Sequence, residues 1–352
     1  MGDAYIQDII SKGMDKMYNF EFDAAEENYE IVHKKYPDHP IYNFLMAQNV
    51  SWKGIYYNKF KDYASLQLKY LNATLEQADK MLEKDENDSE GIFFKLFSYS
   101  CLALYHSQIN AYVDCVNDAR KAYSYMKEGF KLKEKYVEFY FSSGVYDYFI
   151  VQYPENRPVY KPFMIFFASG DKARGINELD YGSKNALYTR IECTSYISNI
   201  FIKYENTPEK ALPYTNLLAS KYPRNMHFLC KRTEALLATG NYAEAERNSY
   251  QLYKNDQAYF KMASYAFYGI INEKNYNRLD TAKAYYNQAI TSSKGIQSPN
   301  TDYISFAYAG LARIADRKGD KKKAIEYYKK ALDIAEYTSI QKEANAYLDK
   351  ND

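Results

Sequence analysis

The chain has 352 residues, of which 47% are hydrophobic and 26% are charged. This length is too great for one compact core, so it predicts an elongated or repeated fold. The formal net charge is only +1, which lacks the positive excess needed to neutralise a phosphate backbone and argues against a nucleic-acid partner.

The first segment, residues 1–40, has the spacing of a helical hairpin. Gly13 and Ala25 occupy the two small positions of a repeat, Tyr29 the aromatic position and Pro37 the terminating position. Small residues let two antiparallel helices approach closely, and the aromatic side chain fills the groove against the next pair. We therefore predict a repeat-like hairpin here.

The second segment, residues 41–152, is also helical in period, but its helices are longer than a repeat of about 34 residues would contain. Apolar residues three and four apart predict helices near 41–60, 63–84, 90–109, 111–131 and 135–152. We interpret them as variant or unequal repeats.

The third segment, residues 153–170, interrupts the helical pattern with three prolines followed by an apolar run. Two interpretations of the cluster Phe163–Phe167 stay open. It is either a plug in the core between two parts of the array, or an anchor for a partner or for peripheral contact with a membrane surface.

The fourth segment, residues 171–352, carries the clearest repeats. Tyr308, Leu311 and Ala312 are followed by Gly319 and Asp320, and then by Ala324, Tyr328 and Ala331, which matches the tetratricopeptide pattern. Three degenerate copies precede it, with Ala211, Leu218 and Pro223; Gly240, Ala245 and Leu252; and Ala282, Tyr286 and Ala289. Pro213 requires its helix to start late or to bend. The expected fold is an all-α right-handed superhelix, a tetratricopeptide-type solenoid with one aromatic-rich insertion.

Two runs of sequence resemble a more specific family. GVYDYFIVQYP (Gly144 to Pro154) and KPFMIFFASGDKARGINELDYGSKNA (Lys161 to Ala186) come in the order typical of the central part of the Iml-two/tetratricopeptide-thirty-nine family. The similarity is best over residues 136–255. It implies a helical-repeat fold and an interaction role, and it supplies no catalytic residues.

The residues that carry chemistry elsewhere do not form a reactive pattern here, and we predict no enzyme activity, metal or cofactor. Gly170 and Gly175 resemble a phosphate loop, but Ile176 and Asn177 stand where lysine and serine or threonine are needed. The four histidines and four cysteines are scattered without metal-ligand spacing.

The expected function is therefore that of a scaffold that binds a protein or peptide in the concave groove of the superhelix. The exposed positions of the first helix in each pair line such a groove. Phasing on the turns selects Met14, Met17, Tyr196, Lys203, Glu234, Glu273, Arg313 and Asp316. The alternative is capture of a small ligand or glycan at a bacterial outer membrane, because the 41 tyrosines suit sugar recognition.

The sequence contains no apolar stretch of about 18 residues that predicts a membrane span. Its richness in Tyr, Asn and Lys resembles secreted proteins of AT-rich Bacteroidetes-like bacteria. This composition favours an exported protein, periplasmic or associated with the outer membrane, whose signal has been removed. The alternative is a cytoplasmic protein.

Overall fold

The computed structural model describes residues 2–56, 59–156, 161, 167–296 and 302–351. Within these ranges the regular structure is helical throughout and contains no β-strand, which confirms the expected all-α fold. The chain divides into two compact units, Met1–Thr194 (unit 1) and Ser195–Asp352 (unit 2).

Unit 1 is a series of helices joined by short connections. They are α1 (Ala4–Tyr18), α2 (Phe22–Lys35), α3 (Ile41–Tyr56), α4 (Phe60–Lys84), α5 (Ser89–Gln108), α6 (Tyr112–Leu132), α7 (Phe139–Asn156), α8 (Lys172–Asn185) and the start of α9 (Arg190–Asn199). From α1 to α8 each helix packs against the next, as in stacked helical hairpins. The division between the two units falls within α9. The four segments predicted from the sequence, with the C-terminal repeats beginning at residue 171, stay a prediction.

Unit 2 continues from α9 into a π-helical turn, Ile200–Tyr204. It then contains α10 (Pro208–Lys221), α11 (Met226–Ala238), α12 (Tyr242–Lys254), α13 (Ala258–Lys274), α14 (Leu279–Ser293), α15 (Asp302–Arg317), α16 (Lys321–Ile334) and α17 (Thr338–Asn351). Alternate helices also contact each other, because α11 packs on α13, α13 on α15 and α15 on α17. We call these four helices the odd row, and α10, α12, α14 and α16 the even row. The arrangement is that of an α-solenoid.

The long helices predicted between residues 41 and 152 are present, with ends shifted by up to four residues. The end of α7 differs from the prediction, since the helix runs through Pro154 to Asn156. Proline lacks one N–H, which removes a single hydrogen bond in the last turn, and its ring is buried. Pro213 likewise lies inside α10, which begins at Pro208. Of the two predicted outcomes, a late start or a bend, the late start therefore does not occur.

Most of the predicted aromatic cluster, Phe163–Phe166, lies outside the described residues. Phe167 is described and is 40% exposed, with its ring centroid 5.1 Å from that of Tyr123.

Most of the small and aromatic repeat positions are buried, as the tetratricopeptide pattern predicts, whereas Tyr308 is half-buried. Tyr286 shows how they act: a Cβ added to Gly269 would lie 2.3 Å from its ring, and one added to Gly310 would lie 2.2 Å from it. The ring of α14 is therefore wedged between α13 and α15, and only glycine leaves it room. The other buried members include Ala25, Tyr29, Ala211, Leu218, Ala245, Leu252, Ala282, Ala289, Ala324, Tyr328 and Ala331.

The turns of the repeats also follow the pattern. Gly240 and Gly319 have φ of +76° and +78°, a left-handed conformation that glycine adopts without steric cost. Asp320 then caps α16, because its side chain accepts a hydrogen bond from the Lys323 N–H at 3.2 Å. These two turns thus lie where the sequence predicts.

Candidate binding site in unit 2

The odd row of unit 2 contains a cavity of about 180 Å³. It lies where side chains from α11, α13, α15 and α17 meet those of the π-helical turn and the start of α10. Its apolar lining is Ile202, Pro208, Leu237, Ala238, Ile270, Phe306 and Ile340, and its polar lining is Asn206, Glu234, Lys274, Arg313, Tyr337, Ser339 and Glu343.

Arg313 joins three helices at one side of the cavity. Its Nε and Nη2 atoms donate to the two carboxylate oxygens of Glu273 on α13, each at 2.7 Å, and its Nη1 donates to Glu343 on α17 at 2.9 Å. Burial alone would raise the pKa of Glu273, but the hydrogen-bonded guanidinium outweighs it, and the pKa is lowered. Both groups are therefore charged and held in fixed positions.

Glu234 lies at another side, 4% exposed. It accepts hydrogen bonds from the hydroxyls of Tyr303 and Tyr337, both at 2.5 Å, and an ion pair with Lys231 at 2.9 Å completes its surroundings. A buried carboxylate needs such donors to offset the loss of hydration.

Lys203 of the π-helical turn lies beside the same cavity. Its ammonium forms ion pairs with Asp302 at 2.6 Å and Glu336 at 3.3 Å, and lies 5.3 Å from the ring centroid of Tyr337. Burial lowers the pKa of Lys203, and the two carboxylates more than reverse this effect, so the pKa is raised.

The rim is more accessible than the walls. The side chains of Lys274 and Glu343 are 40% and 35% exposed. Burial and the nearby charge of Arg313 lower the pKa of Lys274. The site therefore combines an apolar floor with a rim of both charge signs.

The structure brings together four of the predicted site residues. Glu234 and Arg313 line the cavity, Glu273 supports Arg313, and Lys203 lies beside Tyr337. They are largely buried and ion-paired, whereas we expected them to be exposed.

Two other predicted residues lie apart from this cavity. Tyr196 on α9 is 38% exposed, and Asp316 on α15 is exposed and accepts a hydrogen bond from Tyr347 at 2.6 Å. Neither lines the cavity.

The predicted exposure of Met14 and Met17 is wrong, because they are 3% and 0% exposed. Helix α1 is covered by both α2 and α3, and Met17 Sδ contacts the Tyr29 hydroxyl at 3.8 Å. These methionines therefore belong to the core of unit 1.

The sequence prediction missed Lys274, Phe306, Tyr337 and Glu343. Two of these belong to α17 or the turn before it, which follow the last recognised repeat. Residues 338–351 form α17, which packs against α15 in the same way as α11 packs against α13. The predicted groove positions therefore extend to Glu343 if α17 is counted as the first helix of one more repeat.

Among the residues that the structure describes, no group of three or more His, Cys, Asp or Glu side chains is arranged to hold a metal ion. Of the helices in the same residues, none combines the length and the apolar character that crossing a membrane requires.

Comparison with known protein families gives a match to one part of unit 2. Residues 277–336, which contain α14, α15 and α16, match the family described as tetratricopeptide repeat. Among solved structures, the chain is similar to the crystal structure of the P58(IPK) TPR domain, with 13% sequence identity over 99% of this chain and 97% of that chain. The TM-score of 0.28 is too low for this likeness to bear on the fold. No curated protein matches the chain. The narrower resemblance of residues 136–255, and the bacterial origin, stay predictions.

Proposed function

We propose that the chain is a non-enzymatic interaction scaffold, and that unit 2 binds an extended segment of a partner protein across its odd row. The observation that carries this proposal is the cavity of about 180 Å³ with an apolar floor and a rim of mixed charge. The tetratricopeptide match over residues 277–336 supports the same class of function.

The size of the cavity favours a side chain over a whole small molecule. Pockets for small ligands usually have volumes of about 300–1,000 Å³. A cavity of about 180 Å³ is better suited to one apolar side chain of a partner. Such buried anchors supply most of the binding energy in many protein interfaces.

The charges predict which segments bind. Four charged residues line the cavity, Glu234 and Glu343 against Lys274 and Arg313, so their formal charges cancel. A uniformly acidic or basic tail gains little from such a rim. We expect an apolar anchor flanked by residues of both signs, because complementary charges on both sides fix the register of the segment.

A peptide selection tests this proposal. A library of random peptides is selected on the purified full chain, and the dissociation constant of the enriched peptide is measured for variants. Ala238→Trp fills the cavity from an exposed position, and Lys274→Glu reverses a rim charge. We expect each to weaken binding by roughly tenfold or more, which corresponds to about 1.4 kcal/mol.

Matched controls lie on the even row. Ala243→Trp on α12 and Lys283→Glu on α14 make the same changes at exposed positions remote from the cavity lining. Both are expected to bind the peptide within about twofold of the wild type. The proposal is wrong if no peptide is enriched, or if cavity and control variants bind equally.

A further inference from the structure

Unit 1 contains a second, larger groove that no part of the proposed function uses. Its volume is about 670 Å³, within the usual range of small-ligand pockets. Its walls come from α5, α6 and α7, with Phe167 at one side. The lining residues are Ser100, Ala103, Leu104, Ser107, Cys115, Ala119, Ala122, Tyr123, Met126, Val145, Tyr146, Phe149, Ile150, Tyr153 and Phe167.

The groove is present because α7 packs closely against α8. Gly144 of α7 and Gly175 of α8 allow this, since a Cβ on Gly175 would lie 2.7 Å from the Gly144 carbonyl oxygen. On its other side α7 packs much less extensively on α6 than α5 does. The space opens between the hairpin α5–α6 and α7.

The groove is apolar along most of its length. On α6 its lining runs from Cys115 to Met126, which is about 16 Å along a helix. No charged side chain is part of the lining, and Leu104 at the edge is 64% exposed. Exposed apolar surface of this kind is often functional.

One end of the groove is polar. Tyr146 donates a hydrogen bond to the Ala168 carbonyl at 2.7 Å, and the Ala168 N–H donates to the Tyr123 hydroxyl oxygen at 3.2 Å. Since Tyr146 donates to Ala168, the Tyr123 hydroxyl donates to the Tyr146 hydroxyl oxygen. These two oxygens lie 3.5 Å apart, at the outer limit of a hydrogen bond. A ligand oxygen closer to the Tyr123 hydroxyl would accept a stronger hydrogen bond from it.

The same end carries positive charge. The Lys127 ammonium lies 5.4 Å from the ring centroid of Tyr123, while the neighbouring carboxylate of Glu128 is bound by Lys131 at 2.8 Å. Beyond Tyr146 a smaller pocket of about 260 Å³ contains Arg174, paired with the buried Asp147. Because that pair is neutral, as is the pair of Lys133 and Glu178 at the same pocket, Lys127 gives this end a net positive charge.

We propose that this groove binds a free long-chain carboxylate, with its alkyl chain along α6 and its carboxylate at Tyr123 and Lys127. An extended alkyl chain advances roughly 1.25 Å per carbon, given bonds of about 1.5 Å. A groove of about 16 Å therefore accommodates about twelve or thirteen carbons. The hydroxyl and the ammonium would donate to the carboxylate.

Displacement of a fluorescent fatty acid from the intact chain tests the proposal, with three unlabelled competitors. Dodecanoate has the full chain and the charge, hexanoate lacks the chain length, and dodecanol lacks the charge. We expect dodecanoate to displace the probe at the lowest concentration and hexanoate to be at least roughly tenfold weaker, since less apolar surface is buried.

Two variants separate the chain from the head group. Ala119→Trp fills the groove from an exposed position. We expect it to weaken the binding of dodecanoate by roughly tenfold or more. Lys127→Gln is expected to weaken the binding of dodecanoate by up to roughly fivefold, because it removes an exposed ion pair with the carboxylate. The binding of dodecanol should not change. The matched control is Lys121→Gln, since that ammonium lies 4.9 Å from the ring centroid of Tyr99, which does not line the groove.

A covalent readout checks the location independently. Cys115 lines the groove, so dodecanoate should slow its alkylation, and Cys115→Ser should remove the protected signal. Failure of dodecanoate to displace the probe, or equal displacement in Ala119→Trp, would overturn the site. Equal effects of Lys127→Gln and Lys121→Gln would overturn the head-group assignment. Binding only to phosphatidylglycerol vesicles, without dodecanoate displacement, would indicate a membrane surface and also overturn the proposal.

Discussion

Two buried carboxyl groups of unit 1 differ in their surroundings from two of unit 2, although unit 1 also pairs its buried Asp147 with Arg174 and its buried Glu178 with Lys133. In unit 2, Glu234 is paired with Lys231, and Glu273 with Arg313. In unit 1, Glu138 is held by neutral donors, the N–H groups of residues 187–189 and the Thr189 hydroxyl, and Glu192 by the hydroxyl of Tyr18. Cations stabilise the charged form of a buried carboxyl far more than a single neutral donor does.

The difference shows in the titration of these groups. Burial raises the pKa of Glu192 to about 7, and it also raises the pKa of Glu138. The pKa of Glu273 is lowered, because the guanidinium of Arg313 outweighs burial. The paired charges of unit 2 therefore give a rigid polar wall, whereas unit 1 keeps a carboxyl that is easily protonated and an apolar groove.

The largest expected effect comes from breaking the pairing in unit 2. Arg313→Met leaves Glu273 buried without its guanidinium, and removal of one partner of a buried ion pair costs about 3–5 kcal/mol. Chemical denaturation measures the loss. The double variant Arg313→Met with Glu273→Met is expected to recover most of it. Arg247→Met, at an exposed position on α12, should change the stability little. A loss below about 1 kcal/mol in the single variant would contradict the account.

The next effect concerns Glu192 and the pH. Its folded pKa of about 7 lies above the ordinary value of 4.5, so the folded state binds more protons between these pH values. The stabilisation by its proton is complete below pH 4.5 and is lost as the pH rises through 7. The difference between these two pKa values corresponds to about 3 kcal/mol of stability.

Glu192→Gln tests this assignment, because glutamine stays neutral at every pH. Denaturation midpoints at pH 5 and pH 8 should differ less in the variant than in the wild type, and the variant should be the more stable protein at pH 8. Glu128→Gln, on the surface of α6, provides the control. Parallel pH profiles for the wild type and Glu192→Gln would show that Glu192 is charged in the fold.

The smallest expected loss of stability tests the close packing of α14 against α15. Gly310→Ala places a methyl group against the buried ring of Tyr286, and such overpacking typically costs about 1–3 kcal/mol. Thermal unfolding measures it. Gly295→Ala is the control, since a Cβ there meets no atom within 4 Å. Equal melting temperatures for the two variants would mean that α14 and α15 can separate without loss.

Much of the fold follows from local sequence. Ala324, Tyr328 and Ala331 are buried, Gly319 turns the chain and Asp320 caps the next helix, as their spacing predicts. The candidate site was predicted only in part. Glu234, Glu273 and Arg313 were selected by phase, but their burial and mutual contacts depend on partners as distant as Tyr337.

The sequence by itself determined that this protein is a helical array with tetratricopeptide repeats, because helix period, small-residue spacing and turn chemistry act within a few residues of one another. The tertiary structure alone decided which side chains are accessible. Met14 and Arg313 occupy comparable first helices, yet one is covered by α2 and α3 and the other links α13 to α17. The groove beside α6 depends likewise on how closely α7 approaches α8, a contact between helices that the sequence connects through residues 157–171.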